Sequence, residues 1–142
     1  MNLIVFAPIG ASLALIFAAY YTYTIFKFDE GTDRMKYIAE SIRKGANAFL
    51  KRQYKGVAIF FVIMFVILFI LAQFKFVSIF MPFAFLTGGI FSGLSGYLGM
   101  KIATSSNSRT ANACTTRLNS GLRVAFSSGS VMGLVVVGLA LA

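Results

Sequence analysis

Few side chains in this sequence could carry chemistry, and most of them lie close together. The chain has no histidine and one cysteine, and its four carboxylates share a twelve-residue window: Asp29, Glu30, Asp33 and Glu40. Paired carboxylates can hold a divalent cation or transfer protons. Glu40, however, lies one helical turn from Lys36 and from Lys44, which indicates a surface ion pair, and Asp33 suits the first turn of a helix. No pair is spaced to hold Mg²⁺ or Zn²⁺.

Other signatures of catalysis and binding are missing from the sequence as well. A single cysteine has no metal-ligand spacing and no internal disulfide partner, so Cys114 is predicted to be a small loop residue. The long apolar runs contain no ionisable side chain of the kind that marks an ion pathway. The hydroxyls of Ser127, Ser128 and Ser130 could line a polar path, but such hydroxyls more often pack helices together. We therefore predict no catalytic, substrate-binding or metal-binding residue in this chain.

The composition is that of an integral membrane protein. Of the 142 residues, 58% are hydrophobic and only 12% are charged, whereas about 25% are charged in ordinary soluble domains. Four runs carry no charge: residues 1–26, 56–74, 76–100 and 124–142. Each is long enough for a helix to cross the hydrocarbon core, which needs about 20 residues. We predict an all-α membrane fold in one region, 1–142, with four spans at about 3–26, 57–73, 79–100 and 122–142. The first span reads as an uncleaved helix, because no Lys or Arg precedes it.

The basic residues between these runs predict the orientation. Segment 27–55 holds eight Lys and Arg, segment 101–123 holds four, the turn between the second and third spans holds only Lys75, and the N-terminus holds none. Cytoplasmic loops carry the excess of Lys and Arg. The expectation is a multi-pass protein of the plasma membrane with its N-terminus outside and with cytosolic loops at 27–56 and 101–121. Because the charge flanks the spans, the pI near 10.1 indicates lipid headgroups rather than nucleic acid as the anionic partner.

The second span is predicted to extend into the cytosol as one long helix. Thr32 is the expected N-cap, and no proline interrupts the chain from there to Leu71. Such a helix has about 40 residues and a length of roughly 60 Å. Its cytosolic half carries an apolar stripe at spacings of three and four: Met35, Ile38, Ile42, Ala46, Phe49 and Leu50. The stripe could lie on the bilayer surface or pack against other helices, and the unbroken join to the second span favours packing. In the second loop, partial helix is expected around 110–118.

Small residues mark the third and fourth spans as close-packing helices. The residues we single out for structural helix packing are Gly89, Gly93, Gly96, Gly99, Gly129 and Gly133. Repeated small residues four apart let membrane helices approach closely. Four helices have little interior for so many small faces, so the helices are expected to belong to a larger bundle. The chain also stops at VMGLVVVGLALA without a hydrophilic tail. Both features indicate the truncated N-terminal part of a longer protein.

Three segments resemble membrane-bound pyrophosphatases: GTDRMKYIAESIRKGANAFLKRQY (31–54), GGIFSGLSGYLGMKIATSSNSRTANA (88–113) and GLRVAFSSGSVMGLVVVGL (121–139). The resemblance implies homodimers that hydrolyse pyrophosphate on the cytosolic side with Mg²⁺ and export Na⁺ or H⁺. It also implies that these helices belong to an outer ring around the substrate-binding helices. The acidic motifs that bind substrate in this family, such as T-K-A-A-D-V-G-A-D, do not occur here, so no catalytic residue carries over.

One alternative remains open from the sequence. A free-standing four-helix membrane protein, acting as an assembly factor or a small transporter subunit, would have the same composition. An open reading frame continuing beyond Ala142 into the acidic motifs would favour the pump, and a genuine stop would favour the alternative. The choice between Na⁺ and H⁺ and the dependence on K⁺ have no signal in these residues.

Overall fold

The computed structural model describes residues 6–141, which form four helices: α1 (Phe6–Phe26), α2 (Asp33–Gln73), α3 (Met81–Thr116) and α4 (Leu118–Leu141). This described part of the chain contains no strand. All four helices are long and apolar enough to cross a membrane. The predicted all-α membrane fold is therefore confirmed. The start of the first span at Leu3 and the end of the last at Ala142 lie outside the described residues.

The ends of α2 follow local chemistry. The Thr32 side chain accepts a hydrogen bond from the Met35 N–H at 3.4 Å, which confirms the predicted N-cap. At the other end, the N–H of Phe76 donates to the carbonyl of Leu71 at 3.1 Å, and Lys75 lies in the left-handed region with φ 62°. This bond closes the helix in a Schellman motif, which normally takes glycine at the left-handed position. The 41 residues of α2 span roughly 60 Å, as predicted.

The helices pack in the order α2, α3, α4, α1, each antiparallel to its neighbour. Helix α3 lies between α2 and α4, and α4 lies between α3 and α1. Within residues 6–141, α1 and α2 make no close backbone approach, although they are consecutive in the chain. A Cβ placed on Gly10 would meet Leu141 at 3.6 Å, so the start of α1 and the end of α4 lie at the same end of the bundle.

The core is a seam of small and β-branched residues where α1 and α3 pack against α4. Its most deeply buried members are Ile25, Val124 and Val131, with at most 1% of each exposed. A Cβ on Gly138 would meet the side chain of Leu15 at 2.9 Å and the carbonyl of Ala11 at 3.4 Å. Small residues at this seam bring the backbones of α1 and α4 together, and the approach depends on glycine at position 138.

The segment expected to be a loop with partial helix is helical almost throughout. Helix α3 runs unbroken to Thr116, and only Arg117, in an extended conformation, separates it from α4. The helix expected around 110–118 is present apart from Arg117, but the residues on either side of it, expected to be loop, are helical as well, and Cys114 lies in a helix rather than in a loop. The polar composition of 101–121 predicts a loop, but its Ser, Thr and Asn residues are tolerated in helices. Packing against α4 stabilises the helix that they form. The span limits of about 57–73 and 79–100 stay predictions.

Candidate functional site

The main polar site is an ion cluster where the α1–α2 connection meets α2 and α3. Glu30 lies in the connection, and both of its carboxylate oxygens are engaged by Arg43 of α2, at 2.8 Å and 3.3 Å. Nη1 of Arg109, on α3, lies 3.0 Å from the same carboxylate. The side chains of Glu30 and Arg109 are only 19% and 11% exposed. One carboxylate thus joins three segments of the chain.

Arg109 holds the connection by more than its charge. Its Nε–H donates to the carbonyl of Phe28 at 3.0 Å, its Nη1 donates to the carbonyl of Ser105, and its guanidinium lies 4.8 Å from the Phe26 ring centre. The guanidinium therefore uses charge, hydrogen bonds and ring contact together, which its planar, forked donor geometry allows. These contacts fix the direction in which the chain leaves α1.

Two further residues hold the α1–α2 connection: Asn112 of α3, and Gly31, which follows Glu30. The Asn112 side-chain amide donates to the carbonyl of Asp29 at 3.2 Å. Gly31 has φ +89°, and a Cβ there would meet Met35 at 2.6 Å and Asn112 at 2.9 Å. Both the backbone conformation and the close approach require glycine at this position.

The electrostatics make Glu30 an anchor rather than a proton carrier. The hydrogen bond from Arg43, together with the charge of Arg109, holds the pKa of Glu30 below its usual value of 4.5, although partial burial opposes the shift. The hydrogen bond to the same carboxylate raises the pKa of Arg43 above its usual value. A carboxylate that stays ionised at neutral pH and is already paired is poorly suited to general acid–base catalysis.

Two of the other three carboxylates, Glu40 and Asp33, form simple surface pairs. Glu40 lies 2.8 Å from Lys44, as predicted, and this hydrogen bond lowers the pKa of Glu40. Lys36 pairs instead with Asp33, at 3.9 Å. Among residues 6–141, no three His, Cys, Asp or Glu side chains come together as a metal site would require. The carboxylates present do not fit a Mg²⁺ site, because Glu30, the most enclosed, is bound by two guanidinium groups.

The glycines of α3 form a groove that accepts aromatic side chains of α2. A Cβ on Gly89 would overlap the Phe61 ring, and one on Gly93 or Gly96 would lie 3.4 Å or 3.3 Å from Tyr54. The Tyr54 hydroxyl also donates to the Gly93 carbonyl at 2.6 Å. Two aromatic residues spaced seven apart thus occupy the small face of α3.

The other selected glycines differ in their surroundings. Gly99 faces α4, where a Cβ would meet Met132 at 2.9 Å. A Cβ on Gly129 or Gly133, by contrast, would meet no atom within 4 Å in the described part of the chain. Nearby, the hydroxyls of Ser106 and Ser128 lie 2.6 Å apart, so Ser128 joins α4 to α3.

The apolar stripe of α2 is divided between two surroundings. Leu50 is buried, at 9% exposure, and the neighbouring Ala39, which the stripe did not include, is 1% exposed. Ile38, Ile42 and Phe49 are exposed. Because α3 is the only helix against which α2 packs within residues 6–141, Leu50 and Ala39 belong to the α3 contact, and Ile38 and Ile42 have no neighbouring helix in this part of the chain. Phe49 lies at the edge between the two faces, where it lines a crevice with Gly96 and Met100 of α3.

Sequence reasoning missed the ion cluster and the glycines at positions 121 and 138. Arg109 was counted only as a positive charge in a loop, so its partners were not considered. A Cβ on Gly121 would overlap the Cys114 sulfur and lie 3.2 Å from the Cys114 backbone nitrogen, which explains the tight α3–α4 turn. One sequence signal could have indicated the ion cluster: Arg109 lies in a polar stretch that is compatible with a helix, so its side chain could be held in place by that helix. In the structure it donates to the carbonyl of Ser105, four residues earlier.

Comparison with known proteins gives a consistent match along the chain. A family model described as inorganic H⁺ pyrophosphatase matches residues 12–142. A protein of Bacteroides thetaiotaomicron, provisionally named a K⁺-stimulated pyrophosphate-energized sodium pump, is 53% identical over 135 residues, which are 94% of this chain and 18% of the relative. K⁺-insensitive pyrophosphate-energized proton pumps of Methanosarcina mazei and Moorella thermoacetica are each 42% identical over 141 residues, or 99% of this chain and 20% of each relative. The chain thus spans about a fifth of the length of these curated relatives.

Proposed function

The chain belongs to the inorganic H⁺ pyrophosphatase family, and we propose that it forms the first four membrane helices of a longer chain that couples pyrophosphate hydrolysis to cation export. The observation that carries this proposal is identity of 42–53% over nearly the whole chain to proteins named as pyrophosphate-energized pumps. Nothing in the comparisons favours the alternative of a free-standing assembly factor or transporter subunit.

Within that pump, these four helices act as a supporting unit. Three of their four carboxylates are paired with Lys or Arg, and the described residues hold no cluster of metal-ligating side chains. The residues that bind pyrophosphate and Mg²⁺ are therefore placed elsewhere in the longer chain. The exposed face of α2 at Ile38, Ile42 and Phe49 and the open space at Gly129 and Gly133 support contacts with those further helices.

We further propose the orientation and assembly of the pump. The charge-rich ends of α2 and α3 face the cytosol and the N-terminus lies outside, because Lys and Arg concentrate in cytoplasmic segments. In this orientation the ion cluster at Glu30 lies on the cytosolic side, where pyrophosphate would be hydrolysed. The protein lies in the plasma membrane, and the longer chain forms a homodimer.

The transported cation is proposed to be Na⁺. Support comes from the 53% identity to a relative provisionally named a sodium pump, against 42% to relatives named as proton pumps. Both kinds of relative cover the chain to a similar extent, so H⁺ is the competing outcome of the test.

Two experiments test these proposals. Sequencing the gene beyond Ala142 should show an open frame continuing into acidic substrate-binding motifs, and a stop codon would contradict the proposed longer chain. Inside-out vesicles containing the complete protein should hydrolyse pyrophosphate in the presence of Mg²⁺ and accumulate ²²Na⁺. Hydrolysis with acidification of the vesicle lumen and no ²²Na⁺ uptake would instead identify a proton pump. No hydrolysis by correctly folded protein would overturn the function.

A further inference from the structure

A crevice lies between the end of α1 and the beginning of α4. It has a volume of about 330 Å³ and is lined by residues of α1, of the first part of the α1–α2 connection and of α4: Thr24, Ile25, Lys27, Phe28, Arg123, Val124 and Ser127. Two of the lining side chains are cations, and none is a carboxylate. Ile25 and Val124, each 1% exposed, form an apolar floor.

Both cations are free of ion pairs in the described part of the chain. Lys27 instead lies 4.6 Å from the centre of the Tyr23 ring, and Arg123 is exposed. Of the carboxylates nearest in sequence to Lys27, Asp29 does not line the crevice and forms no ion pair within residues 6–141, and Glu30 is held by Arg43 and Arg109. Two uncompensated positive charges on one crevice favour an anion there.

The position of the crevice along the helices points to the membrane surface. Lys27 is the first charged residue after the uncharged run of α1, and Arg123 is the last before the uncharged run of α4. Because α1 and α4 are antiparallel neighbours, the two boundaries meet at one level. A ring of Lys, Arg and Tyr at such a boundary lies at the depth of phospholipid headgroups.

We propose that this crevice binds the phosphate of an anionic glycerophospholipid. Lys27 and Arg123 contact the phosphate oxygens, with Arg123 offering a forked pair of donors. The Ser127 hydroxyl is the third available donor, since the Thr24 hydroxyl already donates to the Tyr20 carbonyl at 3.0 Å. The acyl chains lie along the apolar surface of α1 and α4 beyond Ile25 and Val124.

A lipid fits this crevice better than a free anion does. A soluble phosphate would gain the two cations but nothing from the apolar floor, whereas a lipid is also held by burial of its acyl chains in the bilayer. The inference depends on the membrane placement of the chain and is independent of pyrophosphate hydrolysis. An inactive but folded protein would leave it intact.

The test compares two charge-matched double variants of the protein as its gene encodes it. Lys27→Gln with Arg123→Gln removes the crevice cations, and Lys51→Gln with Lys55→Gln removes two exposed cations of α2 that form no ion pair in residues 6–141. All four side chains are exposed, so both variants are expected to fold. Native mass spectrometry and thermal-shift titration then measure binding of phosphatidylglycerol, phosphatidylcholine and glycerol 3-phosphate.

We expect phosphatidylglycerol to bind the crevice variant roughly tenfold to thirtyfold more weakly than the wild type, since each cation near an anionic lipid contributes substantially. The α2 variant should lose less than about threefold, as general surface potential alone would predict. The charge-conserving pair Lys27→Arg and Arg123→Lys should retain binding. Equal losses in the two charge-neutralised variants would overturn the site. Equal binding of phosphatidylcholine, or equal stabilisation by glycerol 3-phosphate, would overturn the anionic-lipid assignment.

Discussion

Replacing Glu30 by Gln removes the one negative charge of the ion cluster while keeping the size of the side chain. Arg43 and Arg109 would then face each other without a counter-ion. The new amide also presents a donor to Nη2 of Arg43, where the native carboxylate oxygen accepts at 3.3 Å. The substitution therefore weakens the contacts that hold the α1–α2 connection on α2 and α3.

The expected magnitude follows from the geometry. A hydrogen bond to a charged group contributes about 1.5–3 kcal/mol, and a neutral one about 1 kcal/mol. The Gln carbonyl can still accept from one guanidinium, and Arg43 is 32% exposed, which puts the net loss at roughly 1.5–2 kcal/mol. Because 1.36 kcal/mol corresponds to a factor of ten, local opening of the connection should become about tenfold to thirtyfold more frequent.

Hydrogen–deuterium exchange of the complete protein measures this opening directly. Peptides covering residues 27–36 should exchange about tenfold to thirtyfold faster in Glu30→Gln, while peptides from the α4 core keep their wild-type rate. Glu40→Gln is the matched control, because its surface pair with Lys44 is highly exposed. That variant should leave exchange of 27–36 unchanged within about twofold. Equal exchange in Glu30→Gln and Glu40→Gln would refute the reasoning.

The pH dependence of the exchange difference between wild type and Glu30→Gln is a second, independent test. The folded-state pKa of Glu30 lies below 4.5, so its contribution to stability is present above the unfolded pKa and is lost as the pH falls through the folded pKa. The exchange difference between wild type and Glu30→Gln should therefore be constant near neutral pH and shrink below about pH 4.5. A difference that grows on acidification would contradict the assigned role of Arg43.

Three further predictions concern helix packing. Gly121→Ala should destabilise the protein by about 1–3 kcal/mol, since its Cβ would overlap Cys114. Thermal unfolding measures this loss, and an unchanged unfolding temperature would contradict the close approach of Gly121 to Cys114. Tyr54→Phe should cost about 1 kcal/mol through loss of its hydrogen bond to α3, and unchanged unfolding would contradict that bond. Leu50→Asp, at a buried position, should lower the yield of folded protein. Phe49→Asp, at an exposed position, should leave these four helices folded and reduce only assembly with the remaining helices or the partner subunit, as size-exclusion chromatography would show.

Much of the architecture could be read from the residues because its signals are local. The uncharged runs fix how many helices can cross a membrane, and the N-cap at Thr32 with the absence of proline predicts one long α2. The order and spacing of three motif-bearing segments within the chain carried the family resemblance. The same local reading failed between residues 101 and 116, where polar composition suggested a loop although the polar residues are compatible with a helix supported by α4.

Only the tertiary structure decided which faces meet. Gly89 and Gly129 have the same small-residue spacing in the sequence, yet Gly89 faces Phe61 and Gly129 faces no other atom of residues 6–141 within 4 Å of an added Cβ. Glu30 finds partners 13 and 79 residues away, and α2 packs on α3 while avoiding its sequence neighbour α1. The physical reason is that the rotation of each helix about its axis and the choice of neighbour depend on how several surfaces pack at once. Periodicity, charge and length describe each helix separately, so they do not determine its rotation or its neighbours.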